Sequence, residues 1–324
     1  MAKGKKTKPV KVKKPMDPEA ARRLRKVLFH TPAAILLIAF SAGAMYFDKD
    51  YVEHKVVAVK DPPRIVLKNR PVWMSDFLAE SIVKSAQPGG THSAFDHQLL
   101  VDTVDLLRAN PWIRDVHQVR RAYVNKPGDT IEVDCDYRAP VALVHWKDYF
   151  WMVDGEGVKL PEAFNVNDVR RIETGLDNKM NIRVVDGVRV PPPESGAKWQ
   201  GEDLQAGLAL VKLLFGKPYT EEIEKVDVTN FAGRKDYKAS QLVLWTKYGT
   251  TIRWGRPIAA GEDFFAEVGP QRKLEYLEAI FKDKGRVDGN YQWVDVRFDT
   301  VTIPSSPQVA GHAEAPMSPT ARTQ

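Results

Sequence analysis

The chain has 324 residues, is 43% hydrophobic and 28% charged, and carries a formal net charge of +6. That charge sits at one end: residues 1–30 hold 11 Lys/Arg against Asp17 and Glu19, while the other 37 basic residues face 40 acidic ones. A slightly acidic remainder argues against nucleic-acid binding, which needs Lys/Arg clustered on the folded part, and a single cysteine, Cys135, excludes an intrachain disulfide.

In chain order, residues 1–26 read as a basic cytoplasmic tail suited to anionic lipid. Residues 27–47, VLFHTPAAILLIAFSAGAMYF, contain no Asp, Glu, Lys or Arg. As a helix they reach about 30 Å, so a transmembrane helix is expected there. The basic flank orients it N-in and leaves the rest outside the cytoplasm. A cleaved signal peptide is the alternative, because Ser41-Ala42-Gly43-Ala44 has the small-residue look of a cleavage site. The long basic stretch before the apolar core favours a retained anchor. Residues 48–63 form a charged connector ending in Pro62-Pro63.

Residues 64–138 read as one domain. A short strand at 65–67 precedes a helix at 73–86, with Trp73, Phe77, Leu78 and Ile82 near helical spacing. Gln87-Pro88-Gly89-Gly90 breaks the chain. A second helix at 96–109 turns Leu99, Leu100, Val104 and Leu107 inward and stops at Asn110-Pro111. Strands at 116–124 and 130–137 follow, joined by the turn Lys126-Pro127-Gly128-Asp129. In the second of these, Ile131, Val133, Cys135 and Tyr137 share one face, which makes Cys135 a core residue. The order β-α-α-β-β predicts a small sheet covered by two helices.

Residues 139–304 read as a β-domain with flanking helices. Short strands are expected at 141–146, 149–153, 158–160, 225–229, 241–246 and 250–254, and a final one from Trp293 to Ile303. Asp154-Gly155 is a hairpin turn. Helices are expected at 204–215 and 270–284, the latter with Leu274, Leu277, Ile280 and Phe281 on one face. Residues 305–324, rich in Pro, Ala, Ser and Thr, are expected to be disordered. The fold class is α+β.

The motifs of catalysis are missing or out of context. Ser195-Gly196-Ala197-Lys198 and Lys247-Tyr248-Gly249-Thr250 approach the Ser-x-x-Lys and Lys-Thr-Gly elements of penicillin-recognising acyltransferases. However, Ser195 follows three prolines, and Tyr248 stands where that family has Ser or Thr. No Gly-x-Ser-x-Gly, Walker A or His-Glu-x-x-His sequence occurs. His92 and His97 lie in a Gly/Ser/Thr-flanked segment and are expected to be solvent-exposed, without metal. The acids of Asp154-Gly155-Glu156-Gly157 are turn formers with too few oxygens for calcium. No catalytic residue, cofactor, metal or small-molecule substrate is expected, and the chain reads as a non-enzyme.

Several runs resemble the FtsQ/DivIB bacterial cell-division proteins. They are Asn110-Pro111-Trp112-Ile113-Arg114-Asp115-Val116, Val119-Arg120-Arg121, Thr130-Ile131-Glu132-Val133 and Tyr137-Arg138-Ala139-Pro140-Val141-Ala142. Trp151-Met152-Val153-Asp154-Gly155-Glu156-Gly157-Val158 and Tyr248-Gly249-Thr250-Thr251-Ile252-Arg253-Trp254-Gly255 continue the likeness, which closes with Lys273-Leu274 and Trp293-Val294-Asp295-Val296-Arg297-Phe298. It extends over residues 60–303, with 162–203 and the β-rich run after Phe298 departing from the pattern. The resemblance implies a POTRA domain followed by a β-domain, on the outer face of the cytoplasmic membrane at the division septum. It implies a non-enzymatic scaffold that joins FtsB and FtsL and controls septal peptidoglycan synthesis. By position, Arg297, Phe298, Asp299, Thr300 and Val301 match the stretch through which relatives hold FtsB. Two other readings stand beside it: a POTRA-bearing protein of outer-membrane assembly or secretion, and an envelope acyltransferase or hydrolase.

Overall fold

A computed structural model describes residues 18–51, 58–59, 63–89, 92–93, 96–122, 124, 129–166, 182–258 and 267–305. The first element, α1 (Pro18–Tyr51), is a single helix through the end of the basic tail, the apolar stretch and the start of the connector. Among the described residues no helix is long and apolar enough to cross a membrane, which corrects the transmembrane helix expected at 27–47. His30, Thr31, Pro32 and Ser41 interrupt the apolar run within it. Ile35, Leu36, Leu37, Ile38 and Phe40 face solvent.

Beyond a two-residue pair, β1 (Ala58–Val59) with β3 (His92–Ser93), the chain builds a three-stranded sheet. Its strands are β2 (Arg64–Leu67), β4 (Ile113–Ala122) and β5 (Thr130–Tyr137), in the order β2-β5-β4. β2 runs parallel to β5, and β4 antiparallel to it. Helices α2 (Asp76–Ser85) and α3 (His97–Ala109) lie between β2 and β4 in sequence. Each begins on a capping side chain: Ser75 Oγ accepts from the Leu78 N–H, and the Asp96 carboxylate accepts from the Gln98 N–H. Such caps satisfy amide groups that the first turn leaves without a helical partner. Ile82, Leu99, Leu107, Ile131, Val133 and Cys135 are buried together. Most of the expected turn Lys126-Pro127-Gly128-Asp129 lies outside the described residues, as do 167–181 of the 162–203 segment and all of the expected disordered tail but Ser305.

The second layer is an eight-stranded mixed sheet. Its strands are β6 (Pro140–Trp146), β7 (Tyr149–Asp154), β8 (Lys159–Phe164), β9 (Arg183–Asp186), β10 (Ile223–Asp227), β11 (Leu242–Thr246), β12 (Thr251–Gly255) and β13 (Trp293–Asp295). Their spatial order is β13-β12-β11-β10-β9-β6-β7-β8. The connections carry α4 (Glu202–Leu214) and α5 (Pro270–Lys284). Alternation along each strand divides the side chains between two faces. Val144, Val153, Val185, Val226, Leu244, Ile252 and Val294 pack under α4 and α5 with Leu204, Leu208, Leu274 and Leu277. At Gly207 the helix lies so near the sheet that a Cβ would stand 2.7 Å from Val185 Cγ1. On the opposite face Leu143, Met152, Leu160, Ile182 and Val184 join Ile65, Met74, Trp112 and Ile131 in one apolar cluster. The small sheet therefore shares its core with the β6–β9 end of the large one.

Candidate partner-binding site

The large sheet ends on β13, an edge strand parallel to β12 with Ile252 opposite Val294 and Arg253 opposite Asp295. The alternating run from Trp293 reads as one strand as far as Ile303, yet β13 stops at Asp295. The Asp295 carboxylate is the cause. Its Oδ1 accepts the backbone N–H of Arg297 at 3.1 Å, an Asx-type turn that offers the chain an alternative to the ladder. The chain bends through 297–300 and comes back at Thr302, which exchanges both backbone hydrogen bonds with Asp295, at 2.8 and 3.0 Å. The edge of the sheet is thus closed by a returning loop, 296–301.

The five residues expected to form the contact site divide by role. Arg297 is turned inward. Its Nε and second guanidinium nitrogen donate to Asp295 at 3.0 and 2.7 Å, and its first guanidinium nitrogen donates to the Lys238 carbonyl at 3.2 Å. The Asp295 hydrogen bonds raise the pKa of Arg297 and keep it charged. Val301 is half-buried against the main core. Phe298, Asp299 and Thr300 are exposed between these anchors, with Phe298 at 40%. Ile303 stands exposed just beyond them. The Asp299 carbonyl accepts from the Tyr276 hydroxyl of α5 at 2.6 Å.

Under the loop lies a buried charged cluster. Lys273, on the inner face of α5, donates through Nζ to the Trp254 carbonyl at 2.7 Å and to Glu267 Oε2 at 2.9 Å. Burial lowers the Lys273 pKa, against the pull of Glu267. Glu267 Oε2 also accepts the Arg256 N–H at 3.0 Å, and the Arg297 carbonyl accepts the Val268 N–H at 2.8 Å. Gly255, at φ +99°, leaves room for this cluster, since a Cβ there would overlap the Glu267 carboxylate and stand 2.8 Å from Arg297 Cγ. The sequence placed Lys273 only within the Lys273-Leu274 likeness, with no buried role, and did not single out Glu267 or Tyr276. A signal was present for the first: a lysine next to Leu274 and one turn before Leu277 falls on the apolar stripe of the helix.

Elsewhere the reactive side chains are engaged structurally. Ser195 Oγ accepts from Lys159 Nζ at 2.9 Å, and Lys198 of the Ser-x-x-Lys pattern lies in a bridge with Val158. Burial lowers the pKa of Lys159. The neighbouring Gly196 and Ala197 N–H groups already bond to the Lys159 and Glu194 carbonyls, so neither is free to serve as an oxyanion donor. The Asp154 carboxylate accepts from the Glu156 and Val158 N–H groups, each at 2.8 Å, and shapes its own turn. His92 lies in β3 and His97 opens α3. Among the described residues no group of His, Cys, Asp or Glu could hold a metal ion. Cys135 is buried, and that burial raises its pKa. The chain matches no protein-family model and no curated protein sequence.

Proposed function

We propose that the chain is a non-enzymatic scaffold of bacterial cell division, similar in role to FtsQ/DivIB proteins, that binds FtsB/FtsL-like bitopic partners outside the cytoplasm and helps control septal peptidoglycan synthesis. The observation that supports this reading is the closed edge at β13. An exposed aromatic, Phe298, stands on a loop whose two ends are tied down by Arg297 and Val301. An exposed aromatic on a loop fixed at both ends can anchor a partner segment without any catalytic group. The experiment is a titration of the full chain with the extracytoplasmic segment of the FtsB-like protein from the same organism. The expected result is saturable binding that Phe298→Ala weakens. No binding by the unaltered chain would overturn the reading.

A further inference from the structure

We infer that Tyr276 is a positioning residue for the partner surface: its hydroxyl, 2.6 Å from the Asp299 carbonyl, holds the exposed stretch that presents Phe298. The inference rests on the reading of the β13 edge as the partner site. Between the Arg297 side chain, tied to Asp295 and the Lys238 carbonyl, and Val301, packed on the core, three residues stand out in solvent. Within that stretch the Tyr276 hydroxyl is the tether from a rigid element. Tyr276 is itself half-buried on the middle of α5, where its ring packs against the core and beneath the Arg272 guanidinium, 4.9 Å away. Its hydroxyl is therefore set by a helix, and it transmits that fixity to the loop. A loop held in its binding conformation spares the complex the entropy of ordering it on association.

Tyr276→Phe removes the tether and keeps the ring in the core, so the melt of the full chain should be almost unchanged. Titration with the extracytoplasmic segment of the FtsB-like partner should show about a three- to tenfold loss of affinity, the range of one hydrogen bond. The same substitution made in a Phe298→Leu background should have little further effect, because Tyr276 acts through the placement of Phe298. An equal loss in both backgrounds, or unchanged affinity in the otherwise native chain, would overturn the inference while leaving the partner site in place. Full affinity in Phe298→Leu and Phe298→Ala alike would instead remove the site on which the inference rests. A Tyr276→Phe protein that melts much lower would assign the hydroxyl to folding and also overturn it.

Discussion

At the scale of single residues, the closing loop separates side chains that hold from side chains that face out. Phe298 is exposed enough that its removal opens no cavity, so Phe298→Ala should leave the melting temperature close to that of the native chain. As the anchor of a contact it should weaken partner binding by about 2 kcal/mol, about thirtyfold, in a titration. Lys273 is the opposite case. Lys273→Met leaves Glu267 and the Trp254 carbonyl without their buried donor, and denaturant unfolding should show a loss of about 2–4 kcal/mol. Since burial lowers the Lys273 pKa, the unfolded chain binds that proton more tightly than the folded one. The Lys273 contribution to stability should therefore rise with pH as the ordinary lysine value is approached, and Lys273→Met should remove that rise. Gly255→Ala, which puts a Cβ on Glu267 at a positive φ, should lose about 2 kcal/mol or more and carry the loop with it.

At the scale of elements, the strands and helices were legible where periodicity was sustained. β5 occupies the very residues expected of it, and α5 starts at Pro270 and ends before Gly285 as its proline and glycine imply. The last strand was not legible, because alternation cannot show that Asp295 will use its carboxylate to cap Arg297 and bend the chain. Nor could periodicity reveal that Arg297 faces inward, since both its partners, Asp295 and the Lys238 carbonyl, are set by tertiary folding. Cross-strand charge was equally hidden. Asp186 of β9 meets His145 of β6 at 3.0 Å and Lys225 of β10 at 3.2 Å. Burial works to raise the Asp186 pKa, but those two partners hold it below the usual carboxylate value. The stability it contributes is present above the ordinary Asp pKa, about 3.9, and is lost as pH falls through the lower folded value. Acid unfolding of Asp186→Asn should lack that component.

At the scale of the whole molecule, two sheets share one apolar cluster. Leu143, Met152, Leu160, Ile182 and Val184 of the large sheet pack with the core of the small one. Composition and the break at Pro140 suggest a unit at 64–138 that folds alone, and nothing in the sequence announces this joint. The expressed 64–138 fragment should show mixed α/β circular dichroism. It should melt about 10 °C or more below the full chain, because a few kcal/mol of burial is missing from a small domain. Equal melting temperatures would show that the joint adds nothing to the smaller unit.

The far edge of the large sheet is capped at its start. On β8 the Lys159 N–H and C=O are already bonded to Ala197 and Gly196, and Pro161, two residues on, has no N–H to give. A sheet open at both ends can concatenate, each copy templating the next into a fibre. Here one end is capped at Lys159, and the other is paired at Asp295 with its own returning loop. The described backbone is thus blunted at both ends against edge-to-edge growth of the sheet.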